Sequence, residues 1–185
     1  MHDVTGRTHW HEPGKNQKAG KGIFGSWVSP YDKFMQDEEI PVFRGIGIGN
    51  VLTLPRKPWK RKGGLGTYIQ IHGTEGRWGC YVLEVPGAGN TNPEKHMYEE
   101  IYYVIEGRGS TEVWLEGDTK RHVFEWQKGS LFSIPMNAYH RIVNASSSPA
   151  FLLGGTTAPS MMNLVDNVDA IFNNPFLFKD KFSGA

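Results

Sequence analysis

The chain has 185 residues, a formal net charge of +1, and 38% hydrophobic and 12% aromatic residues. That length suits one domain with added arms, and the aromatic content is enough for a core. The balanced charge excludes a generic nucleic-acid binder, no apolar run nears the roughly 18 residues of a bilayer span, and the N-terminus lacks the apolar core of a secretory leader.

A single cysteine, Cys80, excludes an internal disulfide, which fits a reducing cytoplasm. It falls in an alternating apolar run and reads as an inert buried thiol.

In chain order, Met1 to Gly25 is rich in Gly, Lys, His and Asn and reads as an extended arm. Ser29-Pro30 supplies an N-cap and a proline at the first helical position, which predicts a short helix over Tyr31 to Glu39, ended by Pro41. The basic run Arg56 to Lys62 reads as a solvated loop or, more sharply, as an anion-attracting lip or a partner contact. Strand signals follow over Thr67 to His72, Gly79 to Val85, Glu100 to Glu106, Ser110 to Glu116, Lys120 to Trp126, Ser130 to Ile134, Arg141 to Val143 and Ala150 to Leu153. Gly117-Asp118 marks a hairpin turn. Glycine, at 23 residues, and proline, at 11, punctuate the chain, and long amphipathic helical patterns are scarce. The class is therefore all-β, a sandwich or barrel with short peripheral helices. A helical turn is expected near Val165 to Phe172, and the Phe-rich end (Phe172, Phe176, Phe178, Phe182) should pack on the barrel or on a second subunit. The organisation reads as an arm and helix over 1–40, a barrel over 41–160 and a C-terminal extension over 161–185.

Two blocks carry the chemistry. Glu94 and His96 share a face if a strand begins there, and Glu100 has the same parity. His140 follows a proline-bounded turn and approaches from another strand. A closed sheet can thus gather Glu94, His96, Glu100 and His140 around one divalent metal ion. Two imidazoles and a carboxylate with open positions suit non-haem Fe(II), with Mn(II) or Zn(II) as alternatives. Tyr98, Tyr102 and Tyr139 flank these groups. They either pack in the core or, as Tyr98 and Tyr139 are best placed to do, hydrogen-bond a substrate. His9-Trp10-His11 lacks a following glutamate and reads as a surface feature. His72 and His122 read as structural.

These blocks resemble the two motifs of the cupin superfamily. The first is a glycine, five residues, His-x-His, three or four residues, a glutamate, six residues and a glycine. Gly107, Glu100 and His96 fit it, Glu94 stands at the first histidine and Ala88 at the leading glycine. The second is a glycine, five residues, Pro-x-Gly, two residues, a histidine, three residues and an asparagine. Gly129, Pro135, His140 and Asn144 fit, with Asn137 at the internal glycine. Arg61-Lys62-Gly63-Gly64, Gly73-Thr74-Glu75-Gly76, Phe124-Glu125-Trp126-Gln127 and Asn173-Asn174-Pro175-Phe176 are also similar to the N-terminal half of two-barrel cupins. The resemblance implies a jelly-roll β-barrel with a three-histidine, one-glutamate metal site, altered here because Glu94 replaces a histidine. Glu94 is then a fourth ligand or a general base. The expected function is a cytoplasmic, metal-dependent enzyme acting on a small organic substrate, first of all an Fe(II) dioxygenase. The alternatives are a Mn- or Zn-dependent lyase, decarboxylase or isomerase, or a non-enzymatic small-ligand-binding cupin. A homodimer is expected, since cupin barrels commonly pair and both termini carry apolar aromatics.

Overall fold

A computed structural model describes residues 9–11 and 28–179. The strands are β1 (His9–His11), β2 (Val42–Gly45), β3 (Lys57–Pro58), β4 (Leu65–Ile71), β5 (Gly79–Val85), β6 (Glu100–Glu106), β7 (Arg108–Trp114), β8 (His122–Gln127), β9 (Leu131–Ile134), β10 (Tyr139–Asn144) and β11 (Ala150–Thr156). The helices are α1 (Pro30–Asp37), α2 (Ala158–Val165) and α3 (Val168–Phe172). The larger sheet runs β1-β2-β4-β5-β11-β6-β9 with β3 on β4, and the smaller runs β10-β7-β8. This is the expected all-β jelly-roll architecture. Among the described residues no helix is long and apolar enough to cross a membrane.

Helix α1 starts where the sequence says it should. The Ser29 hydroxyl accepts from the Asp32 amide, and Pro30 occupies the first turn, where its missing N–H costs nothing. The helix ends at Asp37, before Pro41, because Glu39 turns into the left-handed region at φ 58°. Its apolar side, Tyr31, Phe34 and Met35, closes one end of the barrel against α2 and α3.

The alternation read over Thr67 to His72 implied one wet face, and here the structure differs. Thr67 to Gln70 are all buried, because the large sheet is covered on both sides. Its inner face carries Tyr68, Tyr81, Leu83, Tyr102, Val104 and Leu152 in the main core. Its outer face carries Ile69 and Val82, capped by Phe43 and Leu54. Cys80 is half-buried in that outer cluster, and burial pushes its thiol up. Of the expected arm only His9–His11 is described, as a strand antiparallel to β2. Most of the arm, and Phe182, lie outside the described residues. At the other terminus Phe172 packs on the core while Phe176 is exposed and touches Phe178 edge-on.

Two pieces of local chemistry set the position of β10. Asn144, the last residue of that strand, donates from Nδ2 to the carbonyls of Val85, Pro86 and Ser148 and accepts from Ser146. A buried amide so fully used is worth about 1–3 kcal/mol to the loops it joins. At the other end of the turn, Asn137 has φ 56°, and asparagine is among the few residues other than glycine that tolerate this conformation.

Candidate metal centre

The segment before β6 contains no strand, contrary to the expectation of one beginning at Glu94. It runs extended beside β10 and is held by single bridges, Asn90 to Val143 and Glu94 to His140. The Glu94 amide donates to the His140 carbonyl at 3.1 Å and the His140 amide returns the bond at 2.8 Å. This exchange places the two residues directly opposite each other. His96 follows in a loop whose carbonyl accepts from the Asn137 amide at 2.8 Å. Glu100 opens β6.

The four expected side chains converge. One ligand atom from each of Glu94, His96, Glu100 and His140 lies within 4.8 Å of the others, and all four residues are buried. His96 Nε2 is 3.2 Å from Glu100 Oε2, and His140 Nε2 is 3.5 Å from Glu94 Oε1 and 3.7 Å from Glu100 Oε2.

The donor set fits a cation. His96 Nδ1 lies 2.9 Å from the Tyr98 carbonyl, which can only accept, so Nδ1 carries the hydrogen and Nε2 presents its lone pair inward. That lone pair faces a carboxylate oxygen, two acceptors in contact, which a positive ion between them would reconcile. His140 Nε2 is buried with no hydrogen-bond partner, an arrangement that costs free energy unless something binds there. A backbone carbonyl holding Nδ1 while Nε2 ligates is the usual way a metal histidine is oriented. The four residues are thus a group that could hold a divalent metal ion.

The cluster also contains cations that the sequence reading left in solvent. The basic run Arg56 to Lys62 splits: Lys57 and Lys60 are exposed, whereas Lys62 is only 2% exposed. Lys62 Nζ contacts Glu94 Oε1 and lies 3.5 Å from Glu100 Oε2. Arg61 bridges Glu94 Oε2 and, at 2.8 Å, Glu38 Oε1. Glu100 is further held by the hydroxyls of Tyr81, on Oε1, and Tyr102, 2.8 Å from Oε2. Burial alone would raise both carboxyls. Lys62 and Arg61 more than offset this at Glu94, and Lys62 is the largest opposing influence at Glu100, so both are held below the usual carboxylate range. Burial lowers His140 by more than Glu94 raises it. Burial, and next Glu100, push the hydroxyls of Tyr81 and Tyr102 well up, which keeps them protonated as donors.

The two tyrosines expected to meet a substrate are placed differently. Tyr98 touches the centre through its ring, stacked on His96 at 3.8 Å, and through its carbonyl. Tyr139 alternates away from His140, stacks on Trp114 at 5.7 Å and carries the Lys95 ammonium over its ring. Its side chain lies on the opposite side of β10 from the cluster. Tyr81 and Tyr102 instead bring their hydroxyls to Glu100. Tyr102 could have been found by parity, since it is two residues from Glu100 on the same strand. His72 pairs with Glu75 at the surface, and Arg141 faces away from the cluster and pairs with Glu112.

Residues 81–154 match the family model described as Cupin domain. No curated protein sequence matches the chain. Among solved structures, it is similar to oxalate decarboxylase of Lactobacillus farciminis in a formate complex, with 21% identity, a TM-score of 0.49 and coverage of 57% of this chain and 31% of that one. Oxalate decarboxylase of Bacillus subtilis at pH 4.6 gives 18% identity, a TM-score of 0.48, and coverage of 58% and 28%. Vicilin from Corylus avellana gives 17%, 0.47, and coverage of 56% and 31%. The chain spans about a third of the length of these structures.

Proposed function

We propose that this chain, a member of the cupin superfamily through its domain at residues 81–154, is a metal-dependent enzyme acting on a small organic substrate, of the iron(II) dioxygenase type. The observation that carries this is the buried convergence of two imidazole nitrogens and two carboxylates within 4.8 Å. His96, His140 and Glu100 would hold the ion. Glu94 would be the fourth ligand, because both its oxygens already accept from Lys62 and Arg61, which leaves it a poor proton acceptor. When bound, the ion would supply Lewis-acid chemistry and, as iron(II), the capacity to activate dioxygen. The protein's own part is orientation. Backbone carbonyls fix the imidazoles, and Tyr81 and Tyr102 fix Glu100 and keep protonated hydroxyls beside it. A Mn(II)-dependent lyase, decarboxylase or isomerase is the second reading, favoured by the second carboxylate, since hard oxygen donors suit manganese.

Elemental analysis of the purified protein is expected to find near-stoichiometric iron or manganese. The iron-loaded protein should consume dioxygen with at least one member of a panel of phenols, diketones and hydroxy acids. Metal-free protein that stays empty on reconstitution would defeat the metal reading. Manganese with turnover but no oxygen uptake would move the assignment to the second.

We further propose a homodimer. Ile101 and Tyr103 on β6 and Leu131 on β9, opposite Tyr103, are exposed apolar side chains on paired strands of the larger sheet, a patch a second copy of the chain would cover. Sedimentation should give twice the chain mass at micromolar concentration. A monomer there would refute it.

A further inference from the structure

We propose that Lys62 is the charge-setting residue of this centre: its ammonium, held between the two carboxylates, cancels the charge of Glu94, so that a bound ion meets one effective anion instead of two. The proposal rests on the metal reading above and deepens it. Lys62 would act through Glu94 and Glu100, as a positioning residue, not by touching substrate.

The ammonium sits among aromatic rings and the two carboxylates. Its Nζ lies 5.7 Å from the Trp59 ring centroid, 5.0 Å from that of Tyr81 and 5.6 Å from that of Tyr102. Aromatic faces attract a cation and wall off the path to solvent. Among the described residues the acceptors within its reach are Glu94 Oε1 and Glu100 Oε2, both atoms of the candidate ligand set. The chain is turned inward at this point by Gly63 and Gly64, at φ 80° and 72°, directly after Lys62. A β-carbon on Gly64 would come within 2.5 Å of the Glu84 carbonyl oxygen, so the turn admits little else.

The charges can be counted. Glu38, Glu94 and Glu100 carry three negative charges, and Arg61 and Lys62 carry two positive ones, all linked by the contacts above. The network is net negative by one before an ion arrives. Without Lys62 it would be negative by two, and the attraction for any cation would grow in proportion to the cation's charge. Lys62 therefore tempers affinity and discriminates against trivalent ions, which lose most from an added positive neighbour.

The test titrates metal-free protein with Mn(II), read by the paramagnetic signal of the free ion, and with Tb(III), read by its luminescence. Lys62→Met is expected to bind Mn(II) about tenfold more tightly and Tb(III) about thirtyfold more tightly than wild type, as the ratio of ionic charges requires. Lys62→Arg should leave both affinities within about threefold, because it keeps the charge. Unchanged or weaker binding by Lys62→Met, or equal gains for both ions, overturns the proposal while leaving the metal reading intact. Should Lys62→Met fail to fold, Lys62→Gln takes its place, and affinities no tighter than wild type, or equal gains for both ions, count against the proposal. Binding by neither wild type nor Lys62→Met overturns the metal reading and this inference with it. An empty wild type beside a Lys62→Met that binds would mean that the ammonium takes the ion's place, and would overturn both.

Discussion

His140→Ala is expected to lower metal affinity by at least about 100-fold, because loss of a direct ligand should exceed the 10–100-fold that supporting residues are worth. The fold should survive. The His140 backbone makes the paired bonds to Glu94, and alanine keeps both. The side chain contributes little to the metal-free protein, since its Nε2 has no partner there and an unsatisfied buried nitrogen costs free energy. The removed ring leaves a cavity, and the relieved nitrogen offsets part of that cost. Elemental analysis and thermal melting, run together, separate the outcomes. Lost metal with a melting temperature close to that of metal-free wild type supports ligation. Full metal occupancy in His140→Ala would end it.

Glu94→Ala is expected to destabilise the metal-free fold by about 3–5 kcal/mol, the usual consequence of stranding a buried charge. Lys62 would keep only the longer contact to Glu100, 3.5 Å away, and Arg61 only Glu38. For a domain whose whole stability is roughly 5–15 kcal/mol this is a large fraction. Glu94→Met/Lys62→Met should recover most of the loss, since removing a buried pair together is far milder than removing one member. Equal destabilisation by the single and double variants, measured by urea unfolding, would show that Lys62 does not depend on Glu94.

The same carboxylates set the acid response. Glu94 and Glu100 are held below the ordinary value of 4.5, so the stability each contributes is complete above about pH 4.5 and is lost as pH falls beneath it. His140 is lowered from 6.5, so its contribution is complete above about pH 6.5 and declines below that. The melting temperature of metal-free protein should accordingly sag from about pH 6.5 and drop steeply below about 4.5. Glu94→Gln should flatten the steep limb.

The metal-ligand candidates were legible from the spacing of the two blocks, although only Glu100, opening β6, and His140, in β10, sit on strands. Glu94 and His96 were expected on a strand that does not form, yet both reach the centre, since bridges to β10 hold the segment extended. Asn137, at the position of the motif's internal glycine, takes φ 56°. Side-chain direction was read less well. Tyr139 is adjacent to His140 in sequence, and for that reason lies across the strand from it, whereas Tyr102, two residues from Glu100, shares its face. Lys62 escaped because a run of five basic residues ordinarily stays wet. The signal against that reading was the glycine pair behind it, which permits a tight reversal that buries the last charge of the run. Helix α2 and strand β2 went unseen, as short apolar segments whose placement depends on what they pack against.

One amide group has a wider reach than its size suggests. Asn137 Nδ2 donates to the carbonyl of Asn174 at 3.0 Å and also to that of Phe176, while the Asn137 amide grips the His96 carbonyl. A single residue therefore clasps the loop of the first imidazole, the turn that delivers the second, and the chain beyond α3. Tugging on the C-terminal stretch would be felt at both imidazoles at once, so whatever engages that stretch gains mechanical purchase on the metal centre from outside the barrel.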